Sequence, residues 1–345
     1  MKVFTVFLSV GFLMLLFYGT GSYYYYHRQG FPFEPFVQIG FNKYDSLEIQ
    51  NDDLVVLCLG GSTTNDGRLQ EVEKYPSQLQ KILEKKFGGK RIYVLNGGMD
   101  WYTSKHSLIN YTTYYRKFKP DVVIVMHAIN DICRSFSPVD FSNGEYAATY
   151  SHYYGPAVNA TKPPSMERFL IRKWLGDFKY QQQFNPMQIA SYSDDAFRSF
   201  DAFRFYMNEL QSRIVSDSSL CFFVEQPSFY QPINSEPVEQ RLWFGRALCN
   251  NGKTYPDGAS MFRAMKKFNA CTQQLCEANN VSYTTTMQVF PIDTFHLKDD
   301  VHHTPKGAAL LAKIVADKLF NNPKFIVLSK LGMKENNYSE QLTVE

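Results

Sequence analysis

The sequence contains, at two distant points, the three residue types that together activate a hydroxyl nucleophile. Ser62 follows a hydrophobic run at residues 55–59 and two glycines, while Asp299 stands three residues before His302. A serine attacks a carbonyl only when a base removes its proton, and a carboxylate must hold that base in the right tautomer. Ser62, His302 and Asp299 are therefore a chemically complete set for covalent acyl transfer.

A further polar residue, Asn130, is suited to stabilise the charge that such an attack creates. When a serine adds to an ester carbonyl, the carbonyl oxygen becomes negative and needs donors that are already in place. The side-chain amide of Asn130 and the backbone N–H of Ser62 are candidate donors. Losing one donor of this kind typically lowers the rate about a hundred- to a thousandfold.

Taken singly, these positions have simpler structural interpretations. The Ser62 hydroxyl can satisfy a helix N-terminus after a glycine turn, and Asn130 with Asp131 is typical of a turn or cap. His302 and His303 lack the ligand spacing of a metal site, so no metal is predicted. Catalysis is favoured because a nucleophile, a base, a carboxylate and an oxyanion donor occur together.

The elements that must position these residues follow an α/β pattern, in which strand-like apolar runs alternate with segments of helical period. The strand-like runs cover residues 54–59, 91–95, 122–126 and 220–224 and a segment near Val281. The last helix is well marked, because Thr304 can cap it and Pro305 fits its first turn. Five strand–helix units imply a parallel sheet, and ligands bind at the carboxyl ends of such strands, where Ser62 and Asn130 fall.

At these residues the sequence resembles the SGNH, or GDSL-type, hydrolase family, and more closely its membrane-anchored bacterial esterase-like members. The resemblance covers about residues 54–322 and depends on the order and spacing of blocks beginning at Gly60, Asn96, Asn130 and Asp299. It implies a three-layer α/β/α flavodoxin-like fold with a central five-stranded parallel sheet. It also implies hydrolysis or transfer of an ester-linked acyl group without a cofactor, with His302 as the base and Asp299 as the carboxylate that orients it. A shift by one residue, to Asp300 and His303, remains an alternative.

Two departures from the family pattern concern the oxyanion hole and the first block. Trp101 stands at the position that resembles the family's usual oxyanion-hole glycine. The backbone N–H of Trp101 is therefore the predicted third donor, and that of Gly98 is the alternative. Glycine permits close approaches that tryptophan resists. Gly61 stands where the family usually has aspartate, which leaves the nucleophile itself unchanged.

Composition places the chain among globular proteins and excludes some functions. Hydrophobic residues make up 44% and charged residues 20% of the sequence, so a large core can form. The formal net charge is only +3 and basic clusters are short, which argues against nucleic-acid binding. The six cysteines lack paired CxxC spacing, so no zinc site is predicted. Cys249 could pair with Cys271 or Cys276 in an oxidising compartment, whereas Cys133 is interpreted as a partly buried thiol.

The N-terminus predicts export across a membrane. Residues 3–18 are almost wholly apolar and are followed by a run of tyrosines that ends at Tyr26, so residues 1–26 are interpreted as a signal anchor. A signal peptide cleaved near Gly21 and a buried core helix are the alternatives. The remaining layout is a linker at 27–49, the hydrolase domain at 50–325 with insertions at 135–186 and 229–258, and a tail at 326–345.

Together these features predict a serine esterase, tethered to a membrane or secreted, that acts on an extracytoplasmic glycan or lipid. An O-acyltransferase of the same fold is an alternative, since a sugar hydroxyl can replace water in the second step. A non-catalytic glycan-binding protein is another, supported by Trp101 and by the aromatic-rich insertion at 135–186.

Overall fold

The computed structural model describes residues 44–100, 102–135, 188–239, 242 and 254–330, together with residues 14, 16, 17 and 20. The chain divides into two compact units, one made of residues 1–46 and 148–188 and the other of residues 47–147 and 189–345. The second unit contains nearly all the described residues. It also contains every residue of the candidate site that the structure describes.

Five of the described strands form a central parallel sheet. The strands are, in chain order, β1 Leu54–Gly60, β2 Ile92–Asn96, β3 Val122–Met126, β4 Gln188–Ala190, β5 Leu220–Val224, β6 Thr254–Pro256 and β7 Ser282–Thr284. The sheet order is β2-β1-β3-β5-β7 with every neighbouring pair parallel, while β4 and β6 form a separate two-stranded sheet. Every residue of β1 and β3 is buried, as expected of strands covered on both faces.

Helices cover both faces of this sheet. The described helices are α1 Tyr75–Lys86, α2 Ser104–Thr113, α3 Ile129–Arg134, α4 Phe200–Ser216, α5 Glu236–Glu239, α6 Gly258–Ala278, α7 Pro305–Phe320 and α8 Pro323–Lys330. Short 3₁₀ helices lie at Glu71–Glu73, Tyr115–Phe118 and Asp194–Ala196.

The two helical layers pack on alternate residues of the strands. Leu54, Val56 and Cys58 of β1 belong to one buried cluster with the apolar faces of α1 and α7. Because side chains alternate along a strand, the residues between them point to the other face. There α4 packs against α2 and α6, and its buried residues are outside the first cluster. The predicted three-layer fold with a five-stranded parallel sheet is confirmed.

The helix periods read from the sequence agree with the buried faces. Phe203, Leu210 and Ile214 are completely buried on α4, and Thr304 caps α7 by accepting a hydrogen bond from the backbone N–H of Gly307 at 3.1 Å. The insertion at 135–186 lies almost entirely outside the described residues. The described part of the insertion at 229–258 includes α5 and β6, and α8 continues past residue 325.

The expected pairing of Cys249 with Cys271 or Cys276 is wrong, and so is the thiol expected at Cys133. Cys271 and Cys276 carry free thiols, as do Cys58 and Cys221, and all four are buried. Cys133, interpreted from sequence as a thiol, is disulfide-bonded. Cys249 lies outside the described residues. Cysteine spacing alone does not determine connectivity, which depends on how loops meet in space.

The predicted signal anchor, residues 1–26, lies outside the described residues apart from residues 14, 16, 17 and 20. No helix within the described ranges is long and apolar enough to cross a membrane.

Candidate active site

The candidate site lies at the carboxyl edge of the parallel sheet. Ser62 follows β1 directly, and Asn130 lies in α3, which begins three residues after β3. Asp299 and His302 lie in the loop between β7 and α7. Because neighbouring parallel strands end at the same edge, residues far apart in sequence meet there.

Ser62, His302 and Asp299 form a continuous chain of hydrogen bonds. The Ser62 hydroxyl lies 2.7 Å from His302 Nε2, and His302 Nδ1 lies 2.8 Å and 2.9 Å from the two Asp299 carboxylate oxygens. A carboxylate can only accept, so Nδ1 carries the proton and Nε2 is left to accept from the serine. All three residues are less than one-tenth exposed. This is the arrangement that lets histidine act as a base toward serine.

Asp299 is held as a carboxylate by its surroundings. Burial opposes its ionisation, but hydrogen bonds from the His302 side chain and from the backbone N–H groups of His302 and Val301 lower the pKa of Asp299 well below its usual value. Asp299 therefore stays charged throughout the neutral range and can stabilise a positive imidazole beside it.

The alternative pairing of Asp300 with His303 is not the one that reaches Ser62. Asp300 accepts a hydrogen bond from the Tyr230 hydroxyl at 2.7 Å. His303 packs edge-on against the Phe290 ring, and burial lowers the pKa of its imidazole to about 4. Of the two registers, only Asp299 with His302 contacts the serine.

Asn130 lies beside the nucleophile with its amide orientation determined by a neighbour. Asn130 Nδ2 donates to the Tyr102 carbonyl oxygen at 2.9 Å, and a carbonyl can only accept, so the nitrogen faces Tyr102. The second N–H of the amide remains for a further acceptor. A Cβ at Gly61 would lie only 2.4 Å from Asn130 Nδ2. The Asn130 amide therefore packs directly against Gly61, the residue before Ser62. These contacts suit Asn130 to the predicted oxyanion role.

The third oxyanion donor stays a prediction. Trp101 lies outside the described residues. The alternative donor, the backbone N–H of Gly98, already donates to Asn96 Oδ1 at 3.1 Å. A Cβ at Gly98 would lie 2.7 Å from Thr64 Cβ, so this glycine allows close packing of two loops. The contacts of Gly98 therefore do not favour an oxyanion role.

Three charged residues that the sequence analysis did not single out also contact the site. Arg68 donates to both Asp66 and Asp299, and Lys298 Nζ lies 2.5 Å from Asp66 Oδ2. Burial opposes ionisation of Asp66, but its bonds to Arg68 and Lys298 lower the pKa of that carboxyl below its usual value. Asp66 and Arg68 stand close to Ser62 in the sequence, and Lys298 precedes Asp299. This proximity is only a weak signal of a role in the site, because most charged residues in loops are solvated.

Gln226, after β5, links two of the loops at the site. Its side-chain nitrogen donates to Thr63 Oγ1 at 3.0 Å, and its side-chain oxygen accepts from the backbone N–H of Ile129 at 2.8 Å. Gln226 is itself buried. One side chain therefore joins the loop of the nucleophile to the start of the helix that holds Asn130.

A second group of serine, histidine and aspartate lies in the interior and differs in two respects. Ser107 Oγ lies 2.7 Å from His127 Nε2, but His127 Nδ1 is 4.0 Å from Asp131 Oδ2, too far for a hydrogen bond. Ser107 is completely buried, whereas Ser62 is 7% exposed. Burial lowers the pKa of His127 to about 3. This group is a structural network without access for a substrate.

Within the described part of the chain, no cluster of three or more His, Cys, Asp or Glu side chains could hold a metal ion.

No family model and no curated protein matches the chain. Several solved structures do match it. An acetylxylan esterase from Geobacillus stearothermophilus is 14% identical, with 79% of this chain and 96% of that chain covered and a TM-score of 0.47. A lipase/acylhydrolase from Enterococcus faecalis is 14% identical, with 77% and 95% covered and a TM-score of 0.44.

A lipolytic protein of the G-D-S-L family from Desulfitobacterium hafniense is 9% identical, with 77% of this chain and 99% of that chain covered and a TM-score of 0.43. The roles of individual residues rest on the geometry of this site.

Proposed function

We propose that this chain is a serine esterase that transfers the acyl group of an ester to Ser62 and then to water. The hydrogen-bond chain from Ser62 through His302 to Asp299, with contacts of 2.7–2.9 Å, carries the proposal. It supplies a nucleophile, a base in the required tautomer and a carboxylate that is charged throughout the neutral range.

The reaction proceeds in two halves. His302 Nε2 takes the Ser62 proton as the serine oxygen attacks the ester carbonyl, and the backbone N–H of Ser62 with the Asn130 amide stabilises the oxyanion. The tetrahedral intermediate collapses as His302 returns the proton to the departing alcohol, leaving an acyl group on Ser62. Water then attacks this acyl group while His302 accepts a proton from it. The bond between the acyl carbon and the Ser62 oxygen breaks as His302 returns that proton to Ser62, which releases the carboxylic acid.

The proposed substrate is an acylated extracytoplasmic glycan or lipid. Export is supported by the apolar N-terminal segment at residues 3–18, which acts either as a retained anchor or as a cleaved signal. The disulfide at Cys133 supports the same location, since disulfides persist mainly in oxidising compartments.

The test is hydrolysis of p-nitrophenyl acetate, butyrate and octanoate by the full-length protein. Ser62→Ala and His302→Ala should each lower kcat/KM by about a thousandfold or more, and Asp299→Asn by about ten-thousandfold, because the wrong tautomer is then favoured. Ser107→Ala is the matched control, since it removes a serine that is also hydrogen-bonded to a histidine, and it should retain the wild-type rate.

A Ser62→Ala variant that hydrolyses the esters as fast as wild type would overturn the proposal. A folded wild type that hydrolyses none of them, yet acylates Ser62 and passes the acyl group to an added sugar, would instead be the O-acyltransferase. Comparing kcat/KM for the acetate, butyrate and octanoate esters then shows which acyl length the site prefers.

A further inference from the structure

One guanidinium group joins the loop of the nucleophile to the loop of the base. Arg68 Nε lies 3.1 Å from Asp66 Oδ1 and Arg68 Nη2 lies 3.3 Å from Asp66 Oδ2, so both oxygens of Asp66 are engaged. Arg68 Nη1 donates to Asp299 Oδ2 at 3.0 Å. Arg68 and Asp66 lie in the loop that also holds Ser62, whereas Asp299 belongs to the loop before α7.

The contact with Arg68 restrains the carboxylate of Asp299. Oδ1 accepts from the backbone N–H groups of Val301 and His302 at 3.1 and 2.8 Å, and Oδ2 accepts from Arg68. The carboxylate plane is thereby determined from both sides, and both oxygens are within reach of His302 Nδ1. A guanidinium suits this task because its donors are held in a rigid planar fork.

Arg68 also places a positive charge beside the group that orients the base. The Asp299 side chain is only 2% exposed and that of Asp66 6%, while Arg68 is 47% exposed. Arg68 therefore compensates the negative charge of two buried carboxylates, Asp66 and Asp299. Because Arg68 reaches solvent, its influence is partly screened.

We propose that Arg68 is a positioning residue of the candidate active site. It holds Asp299 in the orientation that accepts the hydrogen bond from His302 Nδ1, and it places a positive charge beside that carboxylate. The inference rests on the proposed esterase function and assigns a role to a residue of that same site.

The charged and titratable groups around His302 come from the loop after β1, the loop after β2 and the loop before α7. They are Asp66, Arg68, Asp100, Lys298, Asp299 and His303. Three of these residues are carboxylates and two are cations. His303 contributes no charge near neutral pH, since burial lowers its pKa to about 4.

Two substitutions in this group should act in opposite directions. Arg68→Gln removes a cation and leaves Asp66 and Asp299 less compensated, so the acidic limb of the pH profile of kcat/KM should move to higher pH. Asp66→Asn removes an anion and leaves Arg68 beside Asp299, so this limb should move to lower pH. A residue that served only to hold the loop would cause neither shift.

Arg68→Lys separates charge from orientation. It keeps the cation but loses the fork, because one ammonium cannot reach Asp66 twice and Asp299 as well. The pH dependence should stay close to wild type while kcat/KM on its plateau falls about tenfold to a hundredfold, the scale expected for a misplaced catalytic group.

Arg91→Gln is the matched control. Arg91 is 54% exposed and its Nε lies 2.9 Å from Asp53 Oδ1, whose side chain is 3% exposed, so the pair resembles that of Arg68 with Asp66. Arg91 stands immediately before β2, at the amino-terminal edge of the sheet and away from the site. Its substitution should change neither the pH dependence nor the plateau.

The experiment uses two readouts on the full chain. The first is the pH profile of kcat/KM for p-nitrophenyl acetate, in which the acidic limb reports the base. The second is an NMR titration of histidine rings in protein labelled at histidine, with the His302 signal identified by its absence in His302→Ala. The NMR titration needs no turnover. An inactive wild type would therefore contradict the esterase proposal, while the NMR titration would still test the role of Arg68.

The expected result is a His302 titration midpoint that rises in Arg68→Gln, falls in Asp66→Asn and is unchanged in Arg91→Gln. An unchanged midpoint in a folded Arg68→Gln protein would overturn the inference. If Arg68→Gln does not fold, Asp66→Asn decides alone, and a midpoint equal to or above that of wild type would count against the proposal.

Discussion

At the scale of single residues, Gly61 determines how closely the Asn130 amide approaches the nucleophile. A Cβ at this position would lie 2.4 Å from Asn130 Nδ2 and 3.1 Å from the Tyr102 carbonyl oxygen, the acceptor that orients the same amide. Glycine therefore does more here than leave the nucleophile unchanged, because a side chain would displace the proposed oxyanion donor.

Gly61→Ala should lower kcat and kcat/KM together, by about a hundredfold, because an oxyanion donor acts mainly in the transition state. Steady-state hydrolysis of p-nitrophenyl acetate measures both constants. Gly67→Ala is the control in the same loop, since a Cβ there would meet only Asp100 Oδ2 at an ordinary 3.6 Å. Wild-type kcat in Gly61→Ala would show that Asn130 does not need this close approach.

The residues that could be identified from sequence are those whose chemistry depends on local order. Asp299 and His302 lie on one loop, so their three-residue spacing was enough to predict that they meet. Arg68 could not be assigned in this way, because its partner Asp299 is 231 positions away and the contact depends on the path of two loops. The hydrogen bond from the Gly98 N–H to Asn96 Oδ1 depends on the turn between these residues, which the sequence does not reveal.

At the scale of elements, hydrogen bonds of Thr304 link the N-terminus of α7 to the loop that carries His302. Its hydroxyl accepts from the Gly307 N–H at 3.1 Å and donates to the Phe295 carbonyl, and its backbone N–H donates to the His296 carbonyl at 2.9 Å. Because Thr304 follows His302 by two residues, the cap also restrains the segment that presents the imidazole.

Thr304→Ala should lower the free energy of unfolding by about 1 kcal/mol, the usual cost of losing a helix cap. Thr304→Ser retains the hydroxyl and should lie close to wild type. Urea unfolding of the three proteins, followed by far-UV circular dichroism, measures the difference. Equal stability of the alanine and serine variants would mean that the cap contributes nothing.

Elements were predictable where a periodic apolar pattern met a clear boundary signal. Thr304 and Pro305 marked the start of α7, and the continuous apolar run of β3 marked a strand buried on both faces. The pairing of the three-residue strands β4 and β6 could not be predicted, because strands this short have no readable period. The disulfide at Cys133 depends on tertiary approach, which spacing does not reveal.

At the scale of the whole molecule, folding stability depends on pH through His127 and His303, which are both buried. Burial lowers the pKa of His127 to about 3 and that of His303 to about 4. The unfolded chain binds a proton at each histidine below about pH 6.5, whereas the folded chain does not. Folding stability should therefore fall as the pH drops below about 6.5.

Each histidine should reduce the free energy of unfolding by about 1.4 kcal/mol per pH unit in this window. Asp66 and Asp299 do not contribute there, because their lowered pKa values confine their effect to pH below about 4. Urea unfolding at pH 7.0, 6.0 and 5.0 measures the slope. His127→Gln should reduce it by about half, and equal stability at the three pH values would contradict the burial of neutral histidines.

The central claim is that Ser62 is an activated nucleophile, and covalent labelling tests it most directly. A fluorophosphonate reacts rapidly only with a serine whose proton is taken by a neighbouring base. Peptide mass spectrometry of the labelled full-length protein should find one adduct per chain on Ser62, none on Ser107, and none in His302→Ala. A folded wild type without an adduct, or labelling that persists unchanged in Ser62→Ala, would contradict the account.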